Sequence, residues 1–538
     1  MPEPSTAPAR RLSILVLLVA SAMLTNASPA PADTPVPATF FGVSPVHTAD
    51  FPLVPLGTVA HPGFAWPAIE AVKDSFDFSI YDTYVTEAMA HGLYDPATNT
   101  VDMAMTLGLT PSWATSDTVT CTHGVQSGGT QCGGPPDSLD YWTRFLTALV
   151  QHYDGVTAPH IRYYELWNEA DDSLWWAPDS SGKYRQILEL AKTAYPIVHQ
   201  DPYSMLLTPS VTGDVGKMVN WMSGYLKQGG ASYADGGAFH GYPGHPGMRP
   251  FPMPESDAGS GSIITKVTAM RAVFDTCGLL GKPMFQTEGS WGDSNVTAPD
   301  TMVAWIARFE LLQAGLRSST NLQLASWFAW ANPSFGWGNI ETRGGLPNAA
   351  GIAYERVYEW VVGASIASPC TMSVDSTWTC TMTRPGGYVG LAVWNAHGPA
   401  TYTPGVGFTR YHDLAGGTAS IPSGGSVPIG MQPVLIEKGV YTNDVPTQAP
   451  GRLALLAAPS VTRSGTRILF GVPLEGPANL SVWDVSGRLV RALPVAPRST
   501  WAAWDGRDAT GHPARGGVYF VRLDSPRGTG VARVIVVR

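Results

Sequence analysis

Between residues 40 and 363, short apolar or aromatic runs alternate with stretches of helical periodicity. Eight of the runs predict strands: 40–43, 56–59, 101–107, 161–167, 205–208, 237–239, 283–287 and 324–329. Helical patterns lie between them, as in 141–152 (YWTRFLTALVQH), 184–199, 263–277 and 301–316. Eight strands with intervening helices in roughly 320 residues is the arithmetic of an α/β protein built as a (β/α)8 TIM barrel with insertions. A doubly wound sheet is the competing architecture. It wants a glycine-rich phosphate turn after its first strand, and Phe41-Gly42-Val43-Ser44-Pro45 is not one.

After residue 363 the pattern changes to short alternating strands, such as 388–394 and 434–437, with Gly/Pro turns between them. This predicts a small β-sandwich over 364–441 packed on a barrel of 33–363. The Pro-rich polar stretch 442–452 reads as a linker. Strands at 467–472, 478–485, 488–493, 501–504, 517–523 and 532–537 are expected in a C-terminal module of 453–538.

In a barrel the βα loops form the only mouth, so chemistry is sought at the C-terminal ends of strands. Strand four ends Tyr163-Tyr164-Glu165-Leu166-Trp167-Asn168-Glu169, strand six Phe239-His240-Gly241-Tyr242, strand seven Thr287-Glu288-Gly289-Ser290-Trp291 and strand eight Trp327-Phe328-Ala329-Trp330. Glu169 and Glu288 thus face each other across one rim. Paired carboxylates are what acetal cleavage needs, one to protonate the leaving oxygen and one to act on the anomeric carbon. Glu165 is the rival acid, but strand alternation places it inside the barrel as a structural carboxylate. His240 and His245 do not form a metalloprotease pair, because Gly241, Pro243, Gly244 and Pro246 preclude helical i, i+4 geometry. Trp113, Trp175, Trp176, Trp291 and Trp337 suit either sugar subsites or packing under loops.

Trp167-Asn168-Glu169, His240-Gly241-Tyr242, Thr287-Glu288-Gly289 and Trp330 resemble the barrel of the clan A retaining glycoside hydrolases, within it families 39, 5 and 30. The resemblance covers most of 40–437. It implies Glu169 as general acid/base, Glu288 as nucleophile and Asn168 as partner of the sugar 2-hydroxyl. Trp330 is expected to stack beneath the reacting ring, and His240, Tyr242, Trp113 and Trp291 are candidate substrate contacts. Hydrogen bonds from Tyr242 and His240 would favour the ionised form of Glu288. Glu169 must instead hold a proton near neutral pH, helped by the ionised nucleophile beside it. Clan members usually carry an arginine near the end of strand two. This sequence reads Gly57-Thr58-Val59-Ala60-His61 there, so another cation replaces it or His61 takes part of its role.

The expected activity is retaining hydrolysis of β-glycosidic bonds in a polysaccharide or oligosaccharide, with no cofactor and no metal. The alternative is a non-catalytic carbohydrate-binding or adhesion protein on a decayed barrel. A net charge of −9 argues against a general nucleic-acid binder, which needs a basic face for phosphates. That charge is an average: residues 452–538 hold twelve arginines, no lysine and five acids, a net of +7, against −16 for the rest. The arginine excess suits an anionic cell surface or an acidic polysaccharide.

Arg10 and Arg11 followed by the apolar run 12–24 and Ala30-Pro31-Ala32 read as a secretory signal over 1–32. A secreted or cell-surface location follows, with no membrane span in the mature chain. In an oxidising compartment Cys121 with Cys132 and Cys370 with Cys380 are plausible local disulfides, leaving Cys277 as a buried thiol. None of these has the spacing of a structural zinc site. Asn295-Val296-Thr297 is a glycosylation sequon only in a eukaryotic host. The C-terminal runs Trp504-Asp505-Gly506-Arg507-Asp508 and Gly516-Gly517-Val518-Tyr519-Phe520 resemble the immunoglobulin-like module of flagellar hook-capping proteins. They are also similar to C-terminal sorting domains of secreted bacterial proteins, which implies contact with a secretion machinery or cell surface, or a spacer.

Overall fold

The computed structural model describes residues 34–45, 51–117, 120–121, 131–177, 183–244, 252–292, 297–331, 336–343, 345–439, 455–458, 461–462, 465–470, 478–485, 487–493, 495, 501–525 and 528–537. The expected signal at 1–32, the linker at 442–452, His245 and Asn295 lie outside them. Among the described residues no helix is long and apolar enough to cross a membrane.

Eight strands build the barrel: β1 (Phe41–Val43), β2 (Thr58–Phe64), β3 (Thr100–Thr106), β4 (His160–Glu165), β5 (Met205–Leu207), β6 (Gly237–His240), β7 (Met284–Glu288) and β8 (Leu322–Trp327). They pair in parallel in the order β5-β4-β3-β2-β1-β8-β7-β6. A parallel bridge between Leu207 and Gly236 joins the two ends of that sheet and closes it. Ala60, Ala104, Leu207, Ala238, Phe285 and Leu324 pack together as a layer inside it, as side chains of alternate positions must in a small barrel. Glu165 lies on that inner face, fully buried.

A helix follows each strand from β2 to β8: Ser79–Ala90, Leu139–His152, Lys183–Val198, Val215–Lys227, Ile263–Thr276, Pro299–Thr320 and Ala349–Val361. Leu139–His152 shows why. Ser138 caps it by accepting from the amide of Asp140, and Trp142, Phe145, Leu146, Leu149 and Val150 form one buried stripe at helical spacing.

Three strands end two residues or more from the sequence expectation; β4 stops at Glu165 rather than 167, and the other two ends matter most at the mouth. β2 runs on past residue 59, but its register against β3 shifts between Ala60 and Phe64, so His61-Pro62-Gly63 bulge out. β8 stops at Trp327 rather than 329, which makes Phe328 the first residue of its loop.

The segment after the barrel is a β-sandwich. Strands Thr371–Met372, Thr377–Arg384, Tyr388–Asn395, Val434–Lys438, Phe408–His412 and Thr418–Ser420 form one antiparallel sheet, and Ala400–Tyr402 pairs with Val427–Ile429. Its Trp378, Met382 and Trp394 share a core with the barrel helices. Cys121–Cys132 and Cys370–Cys380 are disulfide-bonded, the second beside the hairpin that pairs Thr371 with Thr379. Cys277 is free but half-exposed, not buried, because it caps the C-terminus of Ile263–Thr276 at the barrel surface. The C-terminal residues form a three-stranded and a five-stranded sheet around their own core, which includes Ile468, Leu480, Val482, Trp504, Val521 and Val534.

Candidate active site

Glu288 is the last residue of β7, and its carbonyl accepts from the amide of Gly241 at 2.6 Å, locking the ends of β6 and β7 together. A Cβ on Gly289 would lie 2.2 Å from Gln286 Nε2 and 3.2 Å from the Gly241 backbone, so a side chain there would have to displace Gln286. Glu288 is 6% exposed. Its Oε2 accepts from Tyr242 Oη at 2.8 Å, and its Oε1 lies 3.3 Å from His61 Nδ1. The β2 bulge makes that second contact possible. His61 takes a left-handed φ of 45°, its Nδ1 is hydrogen-bonded to Thr106 Oγ1 at 2.7 Å, and Ser44 donates to its carbonyl.

Glu169 stands in the loop after β4, also with a left-handed φ, of 38°. Its Oε1 is 2.8 Å from His240 Nδ1. The same nitrogen is 3.5 Å from Glu288 Oε2, and the other ring nitrogen is 3.9 Å from Glu165 Oε1. His240 therefore sits among three carboxylates. One oxygen of Glu169, one of Glu288 and a nitrogen of His240 all lie within 4.8 Å of one another. Among the described residues, the ion-pair partners of the two rim glutamates are His61 and His240 alone. Among the described residues no arginine or lysine joins them.

The electrostatics follow from burial and from that missing cation. Burial and the charge of His240 hold His61 down at about 3, so it is neutral. Burial opposes charge on His240 as well, but Glu288, Glu169 and Glu165 outweigh it and raise the ring to about 9. Burial pushes Glu288 up to about 8, with Glu169 adding and with His240 and Tyr242 pulling the other way. The sequence leads one to expect an ionised Glu288 beside a protonated Glu169. In the resting site the carboxyl pushed toward its protonated form is Glu288, because one tyrosine and one shared imidazolium do not offset its desolvation.

The predicted aromatic contacts sort differently from expectation. Trp330 is 0% exposed; the loop after β8 folds back so that its amide donates to Ser44 O, and its ring has no open face. Phe328, two residues earlier, is half-exposed, with its ring 6.3 Å from that of Tyr242 and 6.5 Å from that of His61. Trp291 is also 0% exposed, packed edge-on against Phe309 with Nε1 donating to Pro252 O. Trp113 packs on Trp66 and Tyr141 and donates to Glu70 O. Trp175 packs on Phe64, whose ring in turn meets that of His61 edge-on. His240, expected to touch substrate, is fully buried and touches the carboxylates instead. Asn168 is buried, and its Oδ1 has no hydrogen-bond partner among the described residues.

Three groups at the site are silent or only half-legible in the sequence. His61 needs the bulge, and Phe328 needs the true end of β8. Ser210 lies in the loop after β5, in Thr208-Pro209-Ser210-Val211-Thr212, a run with no charge or periodicity to single it out.

No family model matches the chain, and no curated protein matches it. Among solved structures it is similar to a family 39 glycoside hydrolase from the gut symbiont Bacteroides cellulosilyticus WH2, at 16% identity and a TM-score of 0.55, over 76% of this chain and 81% of that one. A monomeric β-xylosidase from Caulobacter crescentus CB15 aligns at 15% identity and a TM-score of 0.47, over 68% of this chain and 85% of that one. A family 51 α-L-arabinofuranosidase from Bifidobacterium longum aligns at 10% identity and a TM-score of 0.49, over 75% and 97%. The first of these establishes a shared fold.

Proposed function

We propose that the chain is a secreted retaining glycosidase acting on β-linked sugars, with Glu169 as acid/base and Glu288 as nucleophile. The observation that carries this reading is the approach of the two carboxylates, one oxygen of each within 4.8 Å of the other, at the mouth of a barrel. Retaining enzymes hold their carboxyl groups about 5–5.5 Å apart, whereas inversion needs roughly 6.5–9.5 Å to admit a water. The similarity to a family 39 glycoside hydrolase supports the same reading.

In the first step the Glu288 carboxylate attacks the anomeric carbon while Glu169 gives its proton to the leaving oxygen. A covalent glycosyl ester forms at Glu288 and the glycosidic C–O bond breaks. In the second step Glu169 takes a proton from water, whose oxygen displaces Glu288. The first step needs a proton on Glu169 and an ionised Glu288, whereas burial pushes Glu288 toward its protonated form in the resting site. His240 Nδ1 lies 2.8 Å from Glu169 Oε1 and 3.5 Å from Glu288 Oε2, so a proton has a short path between the two carboxylates. Phe328 replaces Trp330 as the apolar surface for a sugar ring.

Proton NMR of the first-formed product tests the mechanism. Retained anomeric configuration is expected, and inverted product overturns it. One observation favours a second reading: Glu169, His240 and Glu288 are also spaced as the ligands of a metal ion. Under the glycosidase reading, dialysis against a chelator leaves activity unchanged, because Nδ1 of His240 is already engaged by Glu169 and Oε2 of Glu288 by Tyr242. The C-terminal module, with its excess of arginine, is proposed to hold the enzyme at an anionic surface.

A further inference from the structure

We infer that Ser210 is a positioning residue for the catalytic acid: its hydroxyl fixes the backbone of Glu169 so that the carboxyl reaches its proton-donating place. The inference rests on the assignment of Glu169 as acid. Ser210 is fully buried in the loop after β5 and touches neither rim carboxyl group. Its Oγ accepts from the Glu169 amide at 3.0 Å and donates to Glu165 Oε1 at 2.8 Å. Its amide donates to Trp167 O at 2.9 Å, and its carbonyl accepts from the Ala170 amide at 3.0 Å. The segment 167–170 is thus tied to one serine on both sides of Glu169. The next two residues extend the clamp: Val211 O accepts from the His240 amide at 2.9 Å, and the Thr212 amide donates to Asp171 Oδ1 at 2.8 Å.

Glu169 needs such a clamp because of its conformation. At φ 38° its Cβ crowds its own backbone, an arrangement that a residue other than glycine keeps only when its surroundings over-determine it. Once the hydroxyl is removed the Glu169 amide loses its acceptor, and the loop is free to relax toward ordinary φ. The carboxyl at its tip then moves away from His240 and the glycosidic oxygen. Buried Glu165 also acquires a function, because by accepting the Ser210 hydroxyl proton it orients the serine lone pair toward Glu169 N–H.

The dependence of kcat/KM on the leaving group tests the inference, since it isolates the first chemical step. A glycoside of 2,4-dinitrophenol departs without a proton, whereas an unactivated alkyl or sugar leaving group requires one. S210A is expected to lose roughly 10- to 100-fold in kcat/KM on the unactivated glycoside and less than about two-fold on the dinitrophenyl glycoside. A loss of equal size on both, or no loss on either, overturns the proposal. S210C, which keeps the size of serine but bonds weakly, makes the same comparison if S210A does not fold. E169Q is measured in parallel. If its own losses do not depend on the leaving group, the assignment of the acid has failed, whatever Ser210 does.

Discussion

Two buried glutamates in this chain have nearly the same neighbours and opposite electrostatics. Glu288, at the barrel mouth, is 6% exposed and meets Tyr242, His240 and His61. Glu437, in the β-sandwich, is 4% exposed and meets Tyr388 at 2.8 Å, His412 at 2.6 Å and Arg410 at 2.5 Å. Burial works to raise both. In the sandwich the bonds from His412, Tyr388 and Arg410 more than offset it and hold Glu437 at about 2. At the mouth Glu288 stays at about 8. The difference is one permanent cation and one second carboxylate. Glu437 has its own arginine, whereas Glu288 shares one imidazole with Glu169 and has a neutral histidine where an arginine would complete the set. A satisfied carboxylate holds two strands together; an under-satisfied one keeps a proton that chemistry can move.

The sharpest way to break this contrast is to neutralise each glutamate in turn. E288Q is expected to cut turnover by roughly 10⁴-fold, with a melting temperature little changed, because the amide is neutral like the protonated carboxyl it replaces. Loss of folding in E288Q, or survival of most activity, defeats the account. E437Q is expected to do the reverse. It should cost about 2 kcal/mol by leaving Arg410 and His412 without their anion, as measured by denaturant unfolding, with kcat/KM unchanged.

pH separates the two sites next. A carboxyl whose folded pKa lies below its unfolded value binds fewer protons when folded. Glu437 therefore adds stability above about pH 4.5 that is lost as the pH falls through about 2. Glu288 has the opposite sign. Its folded pKa is raised, so the stability it lends is complete below about pH 4.5 and fades as the pH climbs through about 8. Activity should fall over the same alkaline range, as Glu288 near 8 and His240 near 9 give up the protons the reaction uses. A kcat/KM profile flat through about pH 10 contradicts the shared-proton cluster. The smallest expected effect is at Phe328: F328A should lower kcat/KM by about 10-fold through the lost ring contact, and W330A should act through stability instead.

The barrel and its two rim glutamates are legible in the sequence because eight apolar runs alternate with helical patterns, and because chemistry in such a barrel is confined to strand ends. Side-chain direction past a strand end is not legible. The sequence favours Trp330 over Phe328 because it carries no mark of where β8 stops. Ser210 is an uncharged residue in a loop, and only the path of the backbone around Glu169 gives it a role. The order of protonation is also out of reach of the sequence, since it depends on how deeply Glu288 is buried and on which cation is missing, and both are tertiary facts. His61 is half-legible: its place at the end of strand two is apparent, but its contact with Glu288 requires the His61-Pro62-Gly63 bulge.

If Glu288 is the nucleophile of a retaining reaction, it can be trapped as a stable glycosyl ester. Incubation with an activated 2-deoxy-2-fluoro glycoside, followed by proteolysis and mass spectrometry, tests it directly. One fluoroglycosyl group per chain is expected, attached to the peptide that contains Glu288 and absent in E288Q. A label on Glu169 or Glu165, or none during full turnover of the parent glycoside, would contradict it.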